Sequence, residues 1–173
     1  KEEYLLTGPL EETNEPYAIA KIAGIKLCSS LKRQYNFDAI SLMPSNLYGP
    51  GDNYHKENSH VLPALIRRIH QAKVQNKAEI ICWGTGKPKR EFLHVNDLAE
   101  AVKFTMEISH RQFMSNSYNS YFNVGSNEEI SIKSLVNLLE KLFNHNFKIK
   151  YDSSMPNGTL RKKLNSNRLN KLG

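Results

Sequence analysis

Tyr17 and Lys21 stand four residues apart in Glu15-Pro16-Tyr17-Ala18-Ile19-Ala20-Lys21, a stretch with helical spacing. Two side chains at i and i+4 leave the same face of a helix. A phenol titrates near pH ~10 in isolation, and an ammonium close by favours its ionised form. Such a pair can donate a proton to a carbonyl oxygen or accept one from an alcohol. Tyr-x-x-x-Lys also occurs on helices as an ordinary half-buried pair, so its meaning rests on the residues downstream.

A helix and a sheet must position that pair. Pro16 suits the first turn of a helix, where its missing N–H is not needed. An Ala-, Ile- and Leu-rich helix is expected to about Tyr35, with Ala20, Gly24, Leu27 and Leu31 on one face. Its small residues Ala20, Ala23 and Gly24 would admit a neighbouring backbone. Asp38 to Met43 reads as a strand, apolar enough to be buried on both faces. In a parallel α/β sheet ligands bind beyond the carboxyl ends of strands. The Pro44-Ser45-Asn46-Leu47-Tyr48-Gly49-Pro50-Gly51 loop is therefore a place for a site.

Further along, a helix is expected from about Val61 to Lys73, and a strand from Ile80 to Trp83 ends in the turn Gly84-Thr85-Gly86. Glu91 to Val95 reads as extended. Asn96 then caps a helix to about Ile108 that turns Leu98, Ala101, Val102 and Met106 inward. Residues 109–120 read as a Ser/Asn loop. Tyr121 to Val124 is a strand, Ser131 caps a helix to about Phe143, and Phe147 to Tyr151 is a strand. Asn165 caps a short helix stopping at Gly173. Alternating strands and helices argue an α/β class with a largely parallel sheet.

The 173 residues allow one domain with a real core or parts of two. Hydrophobic content of 39% and charged content of 24% are those of a globular chain. No apolar run approaches the ~20 residues that span a bilayer, and no signal-peptide pattern opens the chain. Cys28 and Cys82 lack metal-ligand spacing and are expected to be buried thiols in a cytosolic protein. Residues 147–173 hold seven basic residues against one acid, Asp152, and so carry nearly all of the +7 charge. A basic cluster can serve nucleic acid, a phosphorylated small molecule, or only solvation. Without aromatic interleaving, the phosphate-bearing ligand ranks above nucleic acid.

Four motifs occur in a telling order: Tyr17-x-x-x-Lys21, Pro44-x-Asn46-x-Tyr48-Gly49-Pro50-Gly51, Arg90-Glu91-Phe92-Leu93-His94-Val95-x-Asp97-Leu98-Ala99 and Phe122-Asn123-Val124-Gly125. In this they resemble the extended short-chain dehydrogenase/reductases that act on nucleotide sugars. Leu5 to Glu11, Asn46 to Asn53, and Glu57-Asn58-Ser59-His60-Val61-x-Pro63-Ala64-Leu65 are similar to the GDP-L-fucose synthase branch. The resemblance implies the latter part of an NAD(P)-binding Rossmann fold plus a smaller α/β substrate-binding domain. Its segments would be 1–60 (Rossmann), 61–90 (substrate), 91–126 (Rossmann again) and 127–173 (substrate, truncated at its C-terminus).

That family opens with a Gly-rich turn, and this branch uses a serine and a cysteine upstream of the tyrosine. None of these stands in residues 1–16. The resemblance thus implies an internal piece, roughly the carboxyl-terminal half, inactive when alone. It further implies NADP(H) as cofactor, a GDP-4-keto-6-deoxy-mannose substrate epimerised and reduced to GDP-L-fucose, a cytoplasmic setting and a homodimer paired through the Tyr17 helix. No nucleic-acid or membrane partner is implied, and no metal.

Residue by residue, the resemblance makes Tyr17 the proton donor to the ketone, and Lys21 its modulator and a ligand of the nicotinamide ribose. Pro44, Ser45, Asn46 and Leu47 match the loop beside the nicotinamide, His60 matches the acid of the epimerisation, and Tyr17 and His60 are implied as cofactor contacts too. His55, His70, His94, His110 and His145 are left as structural or solvent-facing. Arg68, Trp83, Arg90, Asn157 and Lys162 match substrate-binding positions; a lone tryptophan reads equally well as core. The family usually has Asp where this chain has Asn157, and Asp where it has Asn165. Another nucleotide-sugar epimerase or dehydratase, or a non-catalytic remnant that binds nucleotide sugar, are the alternatives.

Overall fold

The computed structural model describes residues 1–109, 113, 121–155 and 157–173. The chain forms two compact units. One comprises Lys1–Leu47, Leu93–Asn127 and Lys163–Gly173; the other comprises Tyr48–Phe92 and Glu128–Lys162. Contacts thus divide the chain at 47/48, 92/93 and 127/128, where the sequence suggested 60/61, 90/91 and 126/127, and they return the last eleven residues to the first unit.

In the first unit, helix α1 spans Glu15–Tyr35 with Pro16 in its first turn. It ends where Asn36 turns left-handed (φ 52°) and its N–H returns to the Leu31 carbonyl. None of its residues is fully buried. Strand β1 covers Ser41–Pro44 and runs parallel to β6, Tyr121–Val124, with Ser41 opposite Tyr121 and Pro44 opposite Val124. The expected strand from Asp38 is shorter and only half-buried, because β1 has β6 as its one pairing neighbour among the described residues.

Helix α3 spans Val95–Glu107. It starts one residue before the expected Asn96 cap: His94 is the cap, and its Nδ1 accepts from the Asn96 N–H at 3.2 Å. Leu98, Ala101 and Phe104 pack on the unit's core of Leu93, Phe113, Phe122, Val124 and Leu169. Val102 and Met106 were expected inward but lie exposed, Met106 at 78%. The inward face follows the mixed i+3, i+4 step of a helix, and a pure i+4 row drifts off it. The expected loop at 109–120 lies outside the described residues except for Ser109 and Phe113.

Glu2 fastens the chain start to this core. Only 2% exposed, it accepts from the Asn123 N–H at 3.1 Å, and its carbonyl accepts from the Tyr121 hydroxyl. At the far end a short helix, α5, covers Asn167–Asn170. Asn165 supports it from two residues before its first turn, accepting from the Asn167 N–H at 3.0 Å.

In the second unit, α2 (Val61–Val74) and α4 (Ile132–Phe143) cover one face of a parallel pair, β3 (Glu79–Trp83) and β8 (Lys148–Asp152). Leu62, Leu65, Ile69, Ile80, Cys82, Leu135, Val136, Leu139 and Phe147 form its core. Each such side chain, fully buried, contributes about 1.5–3 kcal/mol. Ser131 caps α4 as expected, accepting from the Ser134 N–H at 3.0 Å. Alternate residues of β3 are buried, which leaves Glu79, Ile81 and Trp83 on the open side. A second sheet orders β7 (Ile130–Ser131), β4 (Lys89–Arg90) and β9 (Arg161–Lys162), antiparallel then parallel. Strands β2 (Asn46–Tyr48) and β5 (Phe92–His94) straddle two of the boundaries between units.

Candidate active site

In the first unit, α1 carries Tyr17 and Lys21 on one face, with Lys21 Nζ 5.4 Å from the centre of the Tyr17 ring. At that distance the ammonium is attracted to the ring face. Tyr17 is 63% exposed. The proton donor of the sequence reading is therefore accessible, and its cation stands beside it.

Pro44 closes β1, and the Ser45 N–H donates to the Val124 carbonyl at 2.9 Å. That bond carries the β1–β6 ladder one residue into the loop and fixes where Ser45 points its side chain. Ser45 Oγ is buried and has no hydrogen-bond partner among the described residues. A buried hydroxyl without a partner is costly. Asn46 begins β2, and Leu47 packs on the core of the unit.

Tyr17, Lys21 and the Pro44–Leu47 segment belong to the same unit, the pair on α1 and the segment at the end of β1. A Gly-x-Gly-x-x-Gly turn, which would hold the pyrophosphate, does not occur in the 173 residues.

In the second unit, His60 precedes α2, and its carbonyl accepts from the Ala64 N–H at 2.9 Å. Its exposed imidazole takes no part in the cap. The other described histidines are engaged. His55 Nδ1 accepts from the Glu57 and Asn58 N–H groups, and His94 caps α3. His70 meets the Phe143 ring edge-on, and His145 lies 4.3 Å from the Phe147 ring. Among the described residues, His60 alone keeps a ring with neither hydrogen bond nor ring contact. His110 lies outside them.

Arg68 and Trp83 are together. Arg68 Nη1 donates to the Ile81 carbonyl at 2.6 Å, and its guanidinium lies 5.6 Å from the Trp83 ring centre. Trp83 is 54% exposed, so it is not core; it offers a flat face with a cation attached. Arg90 donates through Nη1 to the carbonyls of Lys89 (2.8 Å) and Thr159 (2.6 Å), and burial pulls its guanidinium below its usual pKa. Lys162 stands opposite Arg90 in the β4–β9 ladder, exposed. Asn157 Oδ1 accepts from both the N–H and the hydroxyl of Thr85, at 2.8 and 2.9 Å.

The expected residues divide between the two units. The first holds Tyr17, Lys21 and Pro44–Leu47; the second holds His60, Arg68, Trp83, Arg90, Asn157 and Lys162. Sequence reasoning took Gly84-Thr85-Gly86 for a plain turn and missed Thr85. A threonine between two glycines at the carboxyl end of a strand was the available signal. Among the described residues no three His, Cys, Asp or Glu side chains gather as metal ligands do.

Residues 1–125 match the NAD dependent epimerase/dehydratase family. Over 172 residues the chain is 54% identical to the probable GDP-L-fucose synthase 1 of Oryza sativa, covering 99% of this chain and 50% of that protein. It is 50% identical to the GDP-L-fucose synthase of Escherichia coli, across 99% of this chain and 54% of that one. A GDP-D-glycero-L-gluco-heptose synthase from Campylobacter jejuni, solved in the presence of NADPH, superposes with a TM-score of 0.88 at 30% identity, covering 100% of this chain and 59% of that one. The chain thus spans about half the length of the curated relatives it matches.

Proposed function

The chain belongs to the NAD dependent epimerase/dehydratase family, and from that premise we propose that it forms part of an NADP(H)-dependent enzyme converting GDP-4-keto-6-deoxy-D-mannose to GDP-L-fucose. The observation that carries this reading is the match to GDP-L-fucose synthases along 99% of the chain, at 54 and 50% identity. The accessible Tyr17–Lys21 pair and the unengaged His60 ring support it.

Reduction places a hydride on the ketone carbon and builds negative charge on its oxygen. Tyr17 gives that oxygen a proton, so the charge never stands alone. Lys21 lowers the cost of leaving a phenolate behind, and its ammonium holds ribose hydroxyls. NADPH supplies the hydride when bound. Ser45 would stand beside the reactive end of that cofactor together with Pro44, Asn46 and Leu47.

Epimerisation removes a proton from a carbon flanking the ketone and returns one to the opposite face. His60 returns it, since imidazole is the side chain suited to carrying a proton near neutral pH. Arg68 and Trp83 clasp the nucleotide, cation and flat ring together. Arg90 and Lys162 set two positive charges for the diphosphate, and guanidinium suits that partner through paired N–H bonds.

The same reading proposes a homodimer in the cytoplasm. Helix α1 exposes Ile19 and Leu27 to one side of the Tyr17–Lys21 face, apolar surface that a second helix can cover. Both thiols are unpaired, as a reducing compartment requires. Among the described residues no helix is long and apolar enough to cross a membrane.

The test is product analysis. A full-length enzyme carrying these residues, given the keto sugar and NADPH, should yield GDP-L-fucose with one NADPH oxidised per sugar. Formation of a reduced but unepimerised sugar, or of an isomer without NADPH oxidation, would assign another reaction of the family.

A further inference from the structure

We propose that Thr85 and Asn157 form a latch that positions Trp83 and Arg90, and that Asn157 acts through this latch and not by touching the substrate. The inference rests on the reading of Trp83 and Arg90 as nucleotide-sugar ligands.

Asn157 Oδ1 receives two hydrogen bonds, from the Thr85 N–H (2.8 Å) and the Thr85 hydroxyl (2.9 Å). A backbone N–H can only donate, so the atom facing it must be an acceptor. The Thr85 hydroxyl in turn lies 3.4 Å from the Lys87 N–H, which donates to it. Both arms of the latch sit on special backbone. Gly84 is left-handed (φ +72°), and a Cβ there would stand 2.6 Å from Asn157 Oδ1. Gly158 is left-handed as well (φ +63°), and a Cβ there would stand 3.4 Å from Arg90 Nη2. Glycine is needed at Gly84 both for its dihedral and for the close approach.

The latch has a candidate ligand-binding residue on each side. Trp83 precedes Gly84, whose N–H donates to the Asp152 carbonyl at 2.8 Å. On the other side Thr159, two residues beyond Asn157, gives its carbonyl to Arg90 Nη1 at 2.6 Å. Loosening the Thr85–Asn157 contact frees the turn that follows Trp83 and the carbonyl that orients Arg90. An aspartate would make the same two bonds. Asn157 makes them without setting an anion near Arg90, which leaves more positive charge for a diphosphate.

The experiment uses the 173-residue chain, whose single tryptophan is Trp83, with GDP as probe. Trp83 emission follows the titration, and the Trp83 indole and Arg90 Nε–H resonances are compared in ¹⁵N spectra. Asn157→Leu should weaken GDP by roughly 10-fold and Thr85→Val, which keeps the backbone bond, by about 3-fold. Both should move the two resonances in the absence of GDP. Thr85→Ser should keep the resonances in place and the affinity too.

If Asn157→Leu weakens GDP while the resonances stay put, Asn157 is a direct contact and the latch is overturned. Resonances unmoved in Thr85→Val overturn it too, and that variant decides alone if Asn157→Leu fails to fold. A wild-type chain that ignores GDP, with resonances that still respond to Thr85→Val, refutes the substrate reading and leaves the latch standing.

Discussion

Gly86 and Tyr151 are packed so closely that a single carbon added to the glycine would stand 2.5 Å from Cε1 of the tyrosine ring. The backbone at Gly86 is also left-handed, at φ +71°. Gly86→Ala meets both penalties and should destabilise the chain by about 2–4 kcal/mol. Gly8→Ala, where a Cβ meets open space, should stay within about 0.5 kcal/mol. Urea unfolding of the two variants makes the comparison, and equal midpoints would contradict the packing.

Tyr17→Phe keeps the ring under Lys21 and removes only the hydroxyl. In a full-length enzyme, kcat for ketone reduction should fall by at least about 10²-fold while KM changes little. Steady-state kinetics checks this. A normal kcat with a raised KM would make Tyr17 a binding group only.

His60→Gln separates the two chemistries. Incorporation of solvent deuterium into the sugar, followed by NMR, should slow by roughly 10²-fold or fail at one of the two carbons. Reduction of an already epimerised sugar should persist. Unchanged exchange at both carbons would remove His60 from the reaction.

Glu129 should weaken the acid stability of the second unit. The hydrogen bond from Arg161 Nε at 2.8 Å, and the Arg161 and Lys89 charges, hold its carboxyl below the usual range. A carboxyl depressed in the folded state stabilises above its unfolded pKa of about 4.3. That contribution fades as pH falls through the lower folded value. The wild-type urea midpoint should therefore drop more between about pH 7 and pH 3 than that of Glu129→Gln. The effect is small, because exposed ion pairs contribute little. A steeper drop in the variant would reverse the sign.

Local signals carried the elements whose ends are chemically marked. Pro16 opened α1, Ser131 capped α4, and Gly84 closed β3 within a residue or so of the expected points. Where the cap was a less usual residue, the reading slipped: His94 caps α3 through its ring nitrogen, and Asn96 only looked the part. Burial was less legible than type. Periodicity placed Val102 and Met106 inward, yet the face that packs is chosen by where Leu93, Phe122 and Leu169 meet, and those lie far apart in sequence.

The chemistry-bearing residues were legible as types at motif spacings, because proton donors, cations and flat rings are few. Their engagement was not. Nothing in the sequence distinguishes the idle ring of His60 from the occupied one of His55, five residues before it. The Thr85–Asn157 contact joins residues 72 apart, and a spacing argument does not reach that far.

The alternation of the chain between its two units makes each of them depend on partners far apart in sequence. It passes from one to the other four times, and the core of the first needs Leu93, Phe122 and Leu169 together. The second pairs Lys89 with Arg161 and Arg90 with Lys162, drawn from its two separate segments. Neither core closes around one continuous stretch, so the entropy of closing long loops is spent before burial rewards it, and contacts of that span slow folding.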